Sequence, residues 1–369
     1  MSMSNKPRAF VPLPGCLSVV ALATVLGACG SGQPMDEPGE SAFEQVFTPV
    51  RQVHLQESDQ DPIGTVAALR VWNGDFVVAD EIQSNLKVFD PAGRLLRTIG
   101  RAGDGPGEFR RPFAAAVLDS GNLAVLDRSR MYVSFFTPEG KYRDGWFVPA
   151  ISPGGLHVVP ERGELLIPAF RVTSDPEPQK ASPYGMHLFT PRGELTRSFR
   201  RLPEMRVGLE ESFSSLATTV VGPVVISTPR SRNEVHHYDL RSGREWTAKV
   251  GSSIYRPPAW PKKRPDSFEA MNEWVKEQMW VQNIVALDSM HYAVRFGTFT
   301  TDRSLVFRYA VADIHGTTVA VTDTTRFVLH SSVGGQVYGT VRDEEGDVAL
   351  TTFRVQLPRL GRVAVAERR

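Results

Sequence analysis

Cysteine is almost missing from this chain: among 369 residues only Cys16 and Cys29 occur, both near the front end. Beyond Cys29 no disulfide framework and no cysteine nucleophile can form. Neither sign of charge is in excess, with 42 Lys and Arg against 41 Asp and Glu and a net charge of +1. A chain so balanced has no global bias toward nucleic acid, and none is expected as a partner. Past the front end no apolar run approaches the roughly 20 residues a membrane helix needs. Catalytic signatures are missing too: there is no H-E-x-x-H, no G-x-S-x-G and no Asp-rich calcium loop. The eight His residues are scattered, and His236 and His237, adjacent on one strand, point to opposite faces and cannot chelate one ion together. What is present is the make-up of an ordinary globular protein, 41% hydrophobic and 22% charged.

The front end has its own grammar. Lys6 and Arg8 precede an apolar run from Leu17 to Leu26, which ends in Leu26-Gly27-Ala28-Cys29-Gly30-Ser31. Basic head, short apolar run and small residues, in that order, form a secretory signal. Leu26-Gly27-Ala28-Cys29 resembles the bacterial lipobox, in which the cysteine is lipidated and becomes the mature N-terminus. The resemblance implies a leader over 1–28 and a lipid at Cys29, which would be the chain's contact with the membrane. Gly30 and Ser31 lack the Asp that retains lipoproteins in the inner membrane of many Gram-negative cells, so the outer membrane, facing periplasm or cell surface, is expected. Residues 29–42 are rich in Gly, Pro, Ser and acid and read as a flexible tether. Residues 359–369 form a polar tail.

Between tether and tail the chain repeats itself. Gly74-Asp75-Phe76-Val77-Val78-Ala79-Asp80 and Gly121-Asn122-Leu123-Ala124-Val125-Leu126-Asp127 share one pattern, and the match continues through Pro91-Ala92-Gly93 and Pro138-Glu139-Gly140. The offset, Asp80 to Asp127, is 47 residues, a period typical of solenoids and propellers. Short β-branched or aromatic runs punctuated by Pro-x-Gly are strand and hairpin chemistry. Second strands are expected near Asp75, Asn122, Glu164, Pro223, His291 and Gln336, and third strands near Asn85, Tyr132, Met186, Val235, Leu305 and Val348. Each marker gives six units, so an all-β, six-bladed β-propeller is predicted over residues 43–358. The sixth unit stops at its third strand, which would leave an open edge. Val46 to Leu55 is a spare strand of the right type, expected to pair with Val348 to Gln356 and close the ring. One stretch departs from β: around 266–287, Phe268, Met271, Trp274, Val275 and Met279 recur at helical spacing, predicting one short amphipathic insertion that packs on the rim or serves as a lid or partner-docking helix.

The junction Gly103-Asp104-Gly105-Pro106-Gly107-Glu108-Phe109, followed by Pro112 and by Asp119-Ser120-Gly121-Asn122 through Asp127, resembles the NHL repeat. The match is close over 99–140 and thins to a pattern after about 150. The resemblance implies a six-bladed propeller, here in bacterial lipoprotein form, used as a platform for protein, ligand or RNA and only sometimes as an enzyme. In such a junction Phe109 is expected between blades, with Asp80 and Asp127 accepting from turn amides. Without Gly-Lys-Ser/Thr, the glycine-rich turn is no phosphate loop.

Function has to come from a site rather than from the fold. The inner strands around Thr65–Leu69, Phe113–Val117 and Ser215–Thr219 are poor in the carboxylates and amides with which six-bladed lactonases hold calcium, so no metal, no other cofactor and no catalytic residue is assigned. Loops joining second and third strands carry Arg128, Arg130, Arg171, Arg230 and Arg295, which would suit carboxylate or phosphate groups if they converge. Tyr255, Trp260, Trp274 and Trp280 could add a stacking wall. The expectation is a monomeric binding or scaffold module for a protein, peptide or anionic small ligand; the alternative is a metal-assisted hydrolase or lyase working in the axial channel.

Overall fold

The structure, a computed structural model, describes residues 37–58, 60–151, 154–160, 162–169, 171–172, 184–201 and 215–357. Of the two units into which the chain divides, Met1–Asp36 and Glu37–Arg369, the first lies outside these residues, and with it Cys29 and the leader. The polar tail lies outside them as well.

Six four-stranded antiparallel blades make up the second unit. Blade one is Val66–Trp72, Asp75–Asp80, Asn85–Phe89 and Leu95–Ile99; blade two is Pro112–Val117, Leu123–Asp127, Tyr132–Phe136 and Tyr142–Phe147. Blade three is His157–Val159, Glu164–Pro168, Tyr184–Phe189 and Leu195–Arg201; blade four is Leu216–Val221, Val224–Pro229, Glu234–Asp239 and Glu245–Lys249. Blade five is Trp280–Ala286, His291–Phe299, Leu305–Asp313 and Thr318–Thr322. In blade six Val328–Val333, Gln336–Arg342 and Val348–Val355 are completed by Phe47–His54 from the front of the chain. Phe47 pairs with Val355 and His54 with Ala349, antiparallel, with a bulge between Pro49 and Arg51 where proline interrupts the ladder. The predicted closure of the ring is therefore present. It begins earlier than composition suggested: Glu40–Ser41, within the stretch read as tether, adds a short parallel strand to blade five.

The burial pattern follows from stacking. A second strand is covered on both faces by neighbouring blades, so it reads as a continuous apolar run rather than an alternation. Leu123–Asp127 and Val224–Pro229 are buried throughout, whereas the outer strand Glu245–Lys249 alternates exposed and half-buried. The core is correspondingly divided into six clusters among the described residues, one at each blade interface. Phe109 is fully buried between blades one and two, among Leu86, Ile99, Leu123 and Phe136. Phe43 and Phe47 fill the interface of blades five and six with Tyr309 and Phe353.

Asp80 and Asp127, both buried, tie each blade's entry loop to its second turn. Asp80 accepts from the amides of Gly64, Thr65, Ile82 and Gln83, and Asp127 from those of Arg110, Arg111 and Arg130. The turn glycines serve a second purpose. Gly140 has a left-handed φ of 85°, and a β-carbon there would come within 2.8 Å of Ile99 on the outer strand of the preceding blade. The Pro-x-Gly turn is thus also the place where one blade seats on the next.

The helical insertion is shorter than 266–287. Ser267 caps it through the amide of Ala270, it spans Phe268–Lys276, and Trp280–Ala286 is already the inner strand of blade five. A buried β-branched run next to a helix reads as more helix when only spacing is counted. None of its residues is fully buried. Its Trp274 packs against Trp260 and Trp280, and the indole nitrogens of Trp274 and Trp280 donate to the carbonyls of Ala259 and Val275. Tyr255 packs apart from them on Phe296, so the four aromatics form no single stacking wall.

Candidate functional site

All six inner strands face the axis, and together they enclose a cavity of about 460 Å³. Small side chains keep it open: Ala67, Ala116, Ala217 and Ala286 leave room that larger residues would fill. A volume in the range of ordinary ligand pockets makes this the first place to look for chemistry.

Three guanidinium groups reach its wall. Arg230 leaves the second strand of blade four and is held by bonds from Nε to Ser215 Oγ (2.9 Å) and from Nη1 to the Gln282 carbonyl (3.0 Å). Arg295, paired with Asn283 across blade five, lies 5.0 Å from the Phe307 ring centroid, and its Nε and Nη1 are buried without a partner among the described residues. Arg70, on the inner strand of blade one, donates from Nη1 to the carbonyls of Leu69 (2.8 Å) and His330 (3.2 Å). Two imidazoles join them: His157 from blade three, and His330 from blade six, whose Nε2 lies 2.7 Å from Thr340 Oγ1. Thr218 Oγ1 and Ser331 Oγ, on lining residues, are also buried without partners.

Among the described residues no Asp or Glu lines this cavity. The consequence shows in the titrating groups. Burial, then the Arg70 charge, pushes His157 down to about 3. Burial, then Arg295 and Arg70, holds His330 well below its ordinary value. Burial lowers Arg70 to about 10, and burial followed by Arg295 and Arg128 does the same to Arg230. At neutral pH the described residues of the wall therefore carry three cations beside two neutral imidazoles. Cations gathered on one channel wall focus their field on an entering anion.

The five sequence-predicted arginines separate into different roles. Arg230 and Arg295 converge on the channel as expected. Arg128 stands beside it, its guanidinium 3.6 Å from the ring centroid of the lining residue Phe113. Arg130 is not among the residues that line the channel. Its guanidinium donates to the carbonyls of Asp104 (2.7 Å), Gly105 (3.4 Å) and Glu108, which bind the glycine-rich turn after blade one. Turn carbonyls have no partner in a strand ladder, and Arg130 supplies donors to three of them. The backbone of Arg171 pairs with Ile151 in a two-residue ladder, and its side chain lies outside the described residues. Other crossing arginines are neutralised locally, Arg101 by Glu108, Arg110 by Asp104 and Arg111 by Glu81.

Sequence reasoning missed Arg70, His157 and His330. A cation in the otherwise apolar strand Val66–Trp72 was the available signal, since a charge facing a packed core would be expelled. No group of three or more His, Cys, Asp or Glu that could hold a metal ion occurs among the described residues. No helix among them is long and apolar enough to cross a membrane.

Comparisons with known proteins agree with the architecture. The family DUF5128, described as a six-bladed β-propeller, matches residues 34–142. A Bacteroides fragilis NCTC 9343 protein described as a candidate for export superposes with a TM-score of 0.59 at 13% identity, covering 87% of this chain and 98% of its own. A DUF4221 family member from Bacteroides vulgatus ATCC 8482 gives a TM-score of 0.60 at 11% identity, covering 85% and 100%. At these identities the likeness is one of fold. No curated protein matches the sequence.

Proposed function

We propose that this protein is an exported, lipid-tethered binding propeller whose axial channel takes an anionic small molecule. The observation that carries the reading is the channel wall, with Arg70, Arg230 and Arg295 on it and no carboxylate among its described residues. Arg70 and Arg230, already fixed by backbone carbonyls, lose little ordering entropy on binding, and guanidinium groups meet carboxylate or phosphate with charge-assisted hydrogen bonds. The unpartnered Nε and Nη1 of Arg295 supply a further reason for a ligand, since a buried charged donor without an acceptor is costly. Export is supported by the leader-like front end and by the description of the Bacteroides fragilis protein of like fold.

The test uses purified chain from residue 30 onward, screened by calorimetry against carboxylates and phosphate esters. Binding that falls as salt rises and is lost in Arg230→Ala and Arg295→Ala is the expected result; anion binding untouched by both changes refutes it. For the anchor, Cys29→Ser should move the protein from the membrane to the soluble envelope fraction. Retention in the membrane would refute lipidation at Cys29.

A further inference from the structure

The crossing between blades four and five carries the most exposed large apolar side chain among the described residues, Phe268, at 80%. A lone exposed apolar residue is ordinary. Phe268 is not alone. It opens the helix Phe268–Lys276, and Met271 and Val275, which follow it at helical spacing, are only half-buried, so the apolar stripe is left partly uncovered. Directly ahead of the helix stand Lys262, Lys263 and Arg264, all exposed. The Lys263 ammonium lies 3.3 Å from the carboxylate of Asp266, two residues before Phe268, which draws the basic run toward the start of the helix.

The base beneath them is well fixed. Trp260 packs on Trp274 and Trp280, with ring centroids 5.5 and 6.0 Å apart. Ala259 is clamped twice: its carbonyl accepts from the Trp274 indole at 3.0 Å, and its amide donates to Gln278 Oε1 at 2.8 Å. The acids of the helix are partly offset, since Glu273 lies 3.0 Å from Lys276 and 3.2 Å from Arg303. An aromatic tip beside three consecutive cations has the chemistry of an interfacial segment, which buries apolar rings at the acyl boundary and sets Lys and Arg against anionic headgroups.

The front of the propeller points the same way. Glu37 is fixed to the start of this crossing, where its carboxylate accepts from the amides of Ser252 (2.8 Å) and Ser253 (2.6 Å). Eight residues lead from Cys29 to Glu37, and a chain of that length reaches at most about 28 Å. A lipid at Cys29 would therefore keep the start of this crossing within that distance of a bilayer surface.

We propose that the crossing is a membrane-docking surface, with Phe268 entering the bilayer and Lys262, Lys263 and Arg264 resting on anionic lipid headgroups. This goes beyond the channel reading and rests in part on the lipid proposed at Cys29.

The experiment uses unlipidated chain from residue 30 onward, which reads the surface without the anchor. It is floated with vesicles of phosphatidylcholine alone or of phosphatidylcholine and phosphatidylglycerol in equal parts. Binding to the mixture should exceed binding to phosphatidylcholine and fall as salt rises. Lys262→Gln, Lys263→Gln and Arg264→Gln together should weaken it roughly a hundredfold, at about fivefold per charge. Phe268→Ser should weaken it roughly tenfold. Phe147→Ser, at an exposed aromatic of blade two, should change nothing, and unchanged melting of every variant shows that the fold is retained. Binding that survives both changes, equal binding to the two vesicles, or binding to neither would overturn the docking surface. So would a Phe268-dependent dimer that ignores vesicles, which would make a second copy the occupant. Vesicle binding as expected, beside a Cys29→Ser protein that stays in the membrane fraction, would refute the anchor and leave the docking surface standing.

Discussion

Gly93 and His54 are in contact so close that no side chain could stand between them: a β-carbon on Gly93 would overlap the carbonyl oxygen of His54. Gly93 ends the Pro91-Ala92-Gly93 turn of blade one, and His54 ends the strand that closes blade six. The amide of Gln56 also donates to the Gly93 carbonyl at 2.8 Å. The closing strand is thus held edge-on by Val348–Val355 and capped by the neighbouring blade's turn.

Gly93→Ala should loosen that closure. The left-handed φ of 84° alone costs an alanine about 1–2 kcal/mol, and displacing the His54 carbonyl adds to it, so a loss of roughly 3 kcal/mol is expected. Gly74→Ala is the control, with φ 89° and nothing within 4 Å of the added carbon, and should cost only about 1 kcal/mol. Urea unfolding of the two variants checks the difference; equal losses would show that the contact is not part of the closure.

Asp80 offers a graded test of the loop ties. Its Oδ2 accepts from Gly64, while Oδ1 accepts from Thr65, Ile82 and Gln83. Asp80→Ala strands all four amides and should cost roughly 2–4 kcal/mol. Asp80→Asn can keep the three bonds at one oxygen and should lose about half as much. Thermal melts of both variants would read the order, and Asn falling below Ala would contradict the assignment.

Stability should depend on pH in a window where carboxylates are silent. Burial lowers His187, His236 and His237 to about 4 each, and His157 to about 3, with Arg70 adding to the effect on His157. The unfolded chain then binds more protons than the folded one below the ordinary histidine value of 6.5, so stability falls as pH drops through 6.5 toward 4. Lowered carboxylates such as Glu164 and Asp239 contribute only below their ordinary values of 4.5 and 3.8. Melting temperature should therefore fall between pH 7 and pH 5, and His187→Gln, which can keep the 2.9 Å bond to Ser198 Oγ, should shrink that fall. A flat profile in the wild-type chain would argue against neutral buried histidines.

Much of the ring was legible because its determinants are local. A turn that needs a left-handed residue shows itself as glycine, so Gly74, Gly121, Gly163, Gly222 and Gly335 mark the second strands directly. The missing fourth strand of the last unit, together with the spare strand before the first, was enough to infer closure. The insertion was half legible: spacing found Phe268–Lys276, but nothing local separates its end from the buried strand Trp280–Ala286.

The sequence by itself determined the strand chemistry, the repeat, the number of blades and the segment that fastens the circle, since each is written in neighbouring residues. Only the tertiary structure decided which arginines meet. Arg70, His157, Arg230, Arg295 and His330 come from five blades, and Arg130, adjacent to the loop positions that seemed equivalent, is spent on turn carbonyls. The physical reason is that charge convergence on an axis depends on closure of the whole ring, a contact between residues far apart in the chain that no local pattern encodes.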